Sequence, residues 1–243
     1  MQAIDTSTPS LARAYDFLLG GRANFAADRA LAGRLQGMYP RARTLLSLAR
    51  TFQASAITSL ARGGVSQFID VGCGLPTSPA THEAALSARS DTRVAYVDRD
   101  PAVVAHAAVM LPSVRPPAQV RVIEGDLAEP EALLWSLRPM LDFTRPACLV
   151  LGLVLQVLDP GTTRAVVGVL TRALASGSYV VVTCGAEDAG RLPDAASGAG
   201  LTAGDVESFL AGLEVQAPGV RLEPAESGSA EPGLLLCAVG RKP

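Results

Sequence analysis

Lysine is all but missing from this chain: Lys242 is the only one, and arginine carries the remaining positive charge of a protein whose formal net charge is −2. Without a dense basic surface, a general grip on nucleic acid is excluded. Long apolar runs are absent too. The longest, Ala147 to Leu158, is about twelve residues, whereas a hydrocarbon core needs about twenty, which rules out a membrane span. The cysteines, at 73, 148, 184 and 237, form no CxxC pair, so neither a zinc site nor a disulfide framework is expected and they read as reduced thiols, mostly in strands. The N-terminus shows no basic segment followed by an apolar one and a small-residue cleavage site, and the expected location is the cytoplasm. Charged residues amount to only 18%, against 49% hydrophobic and a mean hydropathy of +0.28, which excludes a disordered chain. Its 243 residues suit one domain of ordinary size, or one domain with an elaborated terminus.

What is present divides in two. Residues 1–64 read as an N-terminal helical subdomain, with apolar periodicity from Ser10 to Leu19, from Phe25 to Leu35 and from Arg41 to Leu60, closed by Arg62-Gly63-Gly64. Residues 65–243 change texture to short β-branched runs separated by helical stretches, the mark of repeated βαβ units and a parallel sheet. Strands are expected near 66–71, 93–98, 119–124, 147–155 and 178–184. Helices are expected over Thr81–Ala88, Pro101–Leu111, Pro130–Leu137 and Thr162–Leu174. Beyond Cys184 come a loop-like stretch to Gly200, a short helix from Thr202 to Leu213, and two strands, Val220–Leu222 and Leu234–Val239, joined by a Pro/Gly/Ser-rich turn. That makes seven strands ending in an antiparallel pair. Gly185 to Pro232 carries nine acids against two arginines and reads as a solvated face. Trp135 reads as core.

In open α/β sheets, ligands bind outside the carboxyl ends of the strands. The first strand ends Asp70-Val71-Gly72-Cys73-Gly74, where glycine lets the backbone turn sharply and approach a ligand. The second ends at Asp98, whose carboxylate can accept both hydroxyls of a ribose. The third ends Glu124-Gly125-Asp126; Asp126 can take the exocyclic amine of adenine while the Leu127 backbone meets the ring edge.

Glycine, acid and acid at consecutive strand ends fit a nucleoside cofactor. A dinucleotide would need free backbone amides at the start of the first sheet helix to cradle its phosphates. Here Pro76 and Pro79 delete two such amides, and Thr77 replaces the third glycine of GxGxxG. S-adenosylmethionine carries no phosphate, and Asp70 suits its ammonium.

The residues also resemble a known family. The DVGCG unit, the Tyr96-Val97-Asp98-Arg99-Asp100-Pro101 strand end and Gly125-Asp126-Leu127-Ala128-Glu129-Pro130 look like class I, Rossmann-like methyltransferases dependent on S-adenosylmethionine (SAM), which release S-adenosylhomocysteine (SAH). More closely, Pro9 to Gly21, Asn24 to Arg29, Gly74 to Thr77, Thr81-His82-Glu83 and the terminal Gly240 to Pro243 are similar to an actinobacterial family of such enzymes long catalogued as a domain of unknown function. The resemblance implies that the N-terminal helices form a lid over the cofactor, with Tyr15, Gly21 and Asn24 facing its methionine end. Gly20-Gly21 also fits a plain helix C-cap. Arg22 fits either the methionine carboxylate or a surface position. The expected cofactor set is Tyr15, Gly21, Asn24, Asp70, Gly72, Gly74, Asp98, Arg99, Asp126 and Leu127, with no metal.

Two departures stand out. Where this family commonly has a histidine after the fourth strand, the chain has Leu155-Gln156-Val157, and where it commonly has Ser-His after the fifth, the chain has Thr183-Cys184-Gly185. His82, at a helix N-terminus, fits a neutral base or a packing role; His106 reads as structural. Methyl transfer can proceed by orientation alone for an acidic phenol or an amine, so a missing base does not exclude it. No catalytic residue is assigned. The expected substrate is a small, largely apolar molecule of the specialised-metabolite kind, and the sequence is silent on oligomeric state. A SAM- or SAH-binding protein without methyl transfer is the alternative.

Overall fold

The computed structural model describes residues 5–111, 119–186, 200–223 and 235–243. Three helices come first: α1 (Leu11–Leu18), α2 (Ala26–Met38) and α3 (Ala42–Arg62). Five parallel strands then alternate with helices: β1 (Gln67–Val71), α4 (Thr81–Ala88), β2 (Arg93–Asp98), α5 (Pro101–Met110), β3 (Val120–Glu124), α6 (Pro130–Leu137), β4 (Cys148–Gly152), α7 (Pro160–Ala173) and β5 (Tyr179–Gly185). The chain finishes with α8 (Ala203–Phe209), β6 (Glu214–Val215), β7 (Arg221–Glu223) and β8 (Leu235–Arg241).

The sheet runs β3-β2-β1-β4-β5-β8, with β6 and β7 both paired to the outer edge of β8. Among the described residues it has eight strands rather than the seven expected. The extra one, β6, is two exposed residues long, too short to leave a periodic signal. β8 runs antiparallel to β5. The loop expected after Cys184 and the turn expected between the last two strands fall mostly outside the described residues.

Central strands are buried on both faces, which explains their unbroken apolar runs. Phe68, Val94, Tyr96, Cys148 and Val150 pack against Ile57 and Ala61 of α3, with α4 and α5. The alternate set, Ile69, Val71, Ala95, Val97, Leu149 and Leu151, packs against α6, α7 and α8. Strand order reverses between β1 and β4, so the loops leaving these two strands diverge and open a crevice at their carboxyl ends. Helix α3 spans both regions. At 21 residues it is about 30 Å long; its C-terminal half lies on the sheet, while Leu46 joins Ala14, Leu18, Leu31 and Leu35 in a separate small core with α1 and α2.

Several local outcomes have a clear cause. Helix α7 starts at Pro160 because Asp159 caps it, accepting from the Thr162 amide at 3.0 Å, a proline and cap pair that moves the start two residues ahead of the expected one. Strand β4 stops at Gly152, short of the expected 155, because Leu153 adopts φ +56° and a single 3₁₀ turn over Leu155–Val157 follows. Trp135 is 74% exposed, with the Arg138 guanidinium 5.8 Å from its ring centre; Pro130, Leu133 and Leu137 form the buried stripe of α6 and leave Trp135 on its outer side. No helix among the described residues is long and apolar enough to cross a membrane.

The lone lysine has a structural task. Lys242 Nζ donates to the carbonyls of Thr171, Arg172 and Leu174 at 3.0, 3.0 and 2.6 Å, covering the C-terminus of α7, where a cation is favoured. Lys242→Ala should lower stability by about 1–2 kcal/mol, read as a lower urea midpoint with an unchanged m-value. An unchanged midpoint would show the cap to be idle.

Candidate functional site

The crevice at the strand ends is a cavity of about 510 Å³, within the size range of small-molecule sites. Its floor comes from β1, β2 and β3. Gly72 and Gly74 have φ of +66° and +61°, backbone that side chains rarely adopt, and a Cβ on Gly72 would overlap Val154 from the loop after β4. The Gly72 and Cys73 amides donate to the Val97 carbonyl at 2.8 and 3.1 Å, tying the glycine loop to β2. Asp98, only 7% exposed, accepts from the Gly74 amide at 2.8 Å and the Asp100 amide at 2.9 Å, and its carbonyl accepts from the Gly125 amide at 3.0 Å. Burial pushes its carboxyl above the usual range, against the pull of these amides. The Cys73 thiol also donates to Oδ2, at 4.0 Å.

Asp70 is 5% exposed and accepts from the Thr81 hydroxyl at 2.6 Å. Burial raises it to about 6, opposed by that hydrogen bond and the nearby Arg50 cation. Asp126 accepts from the Ala128 amide at 2.9 Å and faces Arg99 at 3.5 Å; Arg99 is largely exposed, at the rim. Leu127 is buried beneath.

The roof comes from the N-terminal helices. Ala12 of α1 lies against the glycine loop, its Cβ 3.8 Å from where a Cβ of Gly74 would be, and Tyr15, Asp16 and Leu19 continue the same wall. Two buried carboxylates set this roof. Asp28, with no exposed surface, accepts from the Ser10 amide at 2.8 Å, the Phe25 amide at 2.8 Å and Arg13 Nε at 2.9 Å. It thereby joins the first turns of α1 and α2. Arg13 reaches onward to Asp100 at 3.5 Å, linking the roof to the end of β2. Asp16 is gripped at Oδ2 by the Ala23 amide and Asn24 Nδ2, both at 2.9 Å, and a Cβ on Gly21 would overlap it.

Of the ten expected cofactor residues, Tyr15, Asp70, Gly72, Gly74, Asp98, Arg99, Asp126 and Leu127 line this one cavity. Gly21 and Asn24 do not: they hold Asp16, which does, and Gly20 at φ +86° ends α1 as a C-cap glycine. His82 is absent from the lining too; its Nδ1 lies 2.8 Å from the Tyr96 hydroxyl, and burial lowers its pKa, a packing role. Arg22 is exposed. Gln156 is buried outside the lining, and Cys184 is buried with its thiol pushed up to about 12, so neither position supplies a base. Sequence reasoning missed Arg50 and Gln53, both lining residues of α3; their i, i+3 spacing on an amphipathic helix was the available signal.

The Arg13–Asp28 pair makes a test independent of any ligand. Asp28→Ala should cost about 3 kcal/mol, the lower end for breaking a buried pair, because Asp100 remains as a partner for Arg13. Hydrogen exchange should quicken across α1 and α2 and leave β1 to β5 protected; exchange unchanged in α1 and α2 would contradict this.

The S-adenosyl methyltransferase family model matches residues 1–227. A candidate methyltransferase from Thermobifida fusca YX is 36% identical in a structural match covering 98% of this chain and 96% of that one, with a TM-score of 0.89. A DUF574 family protein from Streptomyces avermitilis MA-4680 is 30% identical over 99% of this chain and 100% of its own, also at a TM-score of 0.89. The N-methyltransferase NodS from Bradyrhizobium japonicum WM9, in complex with SAH, shares the fold at 15% identity and a TM-score of 0.54, over 78% of this chain and 85% of that one. No curated protein matches. With a family model spanning nearly its whole length, the chain belongs to the S-adenosyl methyltransferase family and is a SAM-dependent methyltransferase of class I fold.

Proposed function

We propose that the enzyme moves the methyl group of SAM to a small, largely apolar molecule of the kind found among specialised metabolites, and that it works in the cytoplasm. The carrying observation is the polarity split of the cavity. Its β1–β3 side holds the glycine loop and the acids, while its β4 side is walled by Leu46, Ala49, Leu153, Val154 and Leu158.

Charge supports the cofactor half. Among the described residues, Asp16, Asp70, Asp98, Asp100 and Asp126 line the cavity, against the two cations Arg50 and Arg99. This carboxylate majority suits a ligand with an ammonium and a sulfonium, and repels a diphosphate. Asp98 takes the ribose hydroxyls, Asp126 and the Leu127 backbone take adenine, and Gly72 and Gly74 let the backbone approach. Asp70 takes the ammonium. Half-buried Arg50, held by the Leu75 carbonyl at 3.2 Å and close enough to act on the Asp70 charge, takes the methionine carboxylate. Tyr15 and Asp16 close the space from above, Gly21 and Asn24 act through Asp16, and Arg99 guards the rim. Residues 1–64 serve as the lid.

SAM supplies a methyl group on a sulfonium, reactive enough for orientation of the acceptor to lower the barrier by about 7–11 kcal/mol. The apolar walls hold the acceptor. Buried Cys73, Cys148, Cys184 and Cys237, none in a disulfide, fit a reducing compartment.

Two measurements test this assignment. Asp98→Ala should weaken SAM binding by about 1–3 kcal/mol by calorimetry, and unchanged affinity would remove Asp98 from the site. SAH affinity should fall as pH drops through about 6, where the Asp70 carboxylate of the free protein takes up a proton and loses its hold on the ammonium. Asp70→Asn should bind weakly and lose that dependence; a dependence that survives the substitution would place the titrating group elsewhere.

A further inference from the structure

Beyond the cofactor half, the cavity carries one uncharged side-chain amide. Gln53 of α3 donates from Nε2 to the Thr183 hydroxyl of β5 at 2.7 Å. It lies flat on the end of β4: a Cβ on Gly152 would overlap its amide nitrogen. The neighbouring backbone is fixed as well, since Leu153 sits at φ +56° with its amide donating to the Thr183 carbonyl at 2.8 Å. A leucine rarely adopts the left-handed region, and here that hydrogen bond holds it. With Nε2 spent on Thr183, the Gln53 carbonyl oxygen remains, and it accepts no hydrogen bond among the described residues. It shares the cavity lining with the apolar Leu46, Ala49, Leu153 and Val154.

Resting on the cofactor placement proposed above, we infer that Gln53 is the specificity-determining residue for the methyl acceptor, with Thr183 as its positioning residue. The Oε1 atom accepts the hydrogen of the acceptor's nucleophilic atom, so the acceptor is an otherwise apolar phenol or amine. An unmet carbonyl in this wall is costly to cover with an apolar group, by the same logic that lets a hydrogen-bonding site reject an analogue lacking its donor. A neutral amide orients the O–H or N–H bond and takes no proton. As the carbon–sulfur bond of SAM breaks and the new carbon–oxygen or carbon–nitrogen bond forms, SAH leaves as the neutral thioether and the acceptor's proton passes to solvent.

Saturation-transfer NMR on the SAH-loaded protein tests this with phenol and anisole, which differ by the donor hydrogen. Phenol should bind at least fivefold more tightly than anisole. Gln53→Leu should abolish the preference, and Thr183→Val, which frees the amide to rotate, should reduce it while Gln53 is still present, an effect that simple packing would not produce. Calorimetry with SAH on the same samples separates the two levels. If SAH binds and phenol shows no preference, or the preference persists in Gln53→Leu, this inference falls and the cofactor placement stands. If wild-type protein does not bind SAH, the cofactor placement falls and takes this inference with it.

Discussion

Three strand ends are held together through one buried residue, by its carboxylate and its main-chain carbonyl. Asp98 ties the glycine loop after β1 through the Gly74 amide, and the turn after β2 through the Asp100 amide. Its own carbonyl fixes the start of the β3 loop through Gly125. Burying a charge at this depth is unfavourable, and its raised pKa reports that cost. Two short hydrogen bonds from backbone amides compensate in part, and they also fix the orientation of the oxygens that face the cavity. With the Val97 carbonyl, Asp98 fixes the glycine loop at the crevice that the strand order opens.

The helical roof repeats the device. Asp28 joins α1 to α2 and takes the Arg13 guanidinium, and Arg13 reaches Asp100, the residue whose amide is bound by Asp98. Roof and floor are therefore linked by a chain of charge-assisted contacts through the end of β2. Packing adds a second link, because α3 belongs to both cores. Its C-terminal part is bound to the sheet, and its middle carries Arg50 and Gln53 over the cavity. Displacing α1 and α2 would open one wall of the site without disturbing the sheet.

Much of this was legible in the sequence. All five parallel strands and the helices between them announce themselves by period and punctuation, because a doubly covered parallel sheet forces unbroken apolar runs. The strand-end acids were readable for a related reason: an acid closing an apolar run has no packing role to play. Side-chain grips between elements were not readable. Gly21 and Asn24 form a conspicuous motif, yet what they hold is Asp16, a relation set by a tight turn. Arg50 and Gln53 look like any polar positions on an amphipathic helix until the strand order brings α3 over β4 and β5. The left-handed turn at Leu153, which shortens β4, has no local signal because leucine rarely adopts it. Strand β6 is too short to show a period.

On the placement proposed here, the ends of β1, β2 and β3 clasp an adenosyl group whose far end is an amino acid. A crystal structure of the protein grown with SAH tests it most directly. The ribose hydroxyls should lie within hydrogen-bond distance of Asp98, with the ammonium toward Asp70 and the carboxylate toward Arg50. A ligand bound elsewhere with that crevice empty, or an adenosyl group in the crevice making no contact with Asp98, would contradict it.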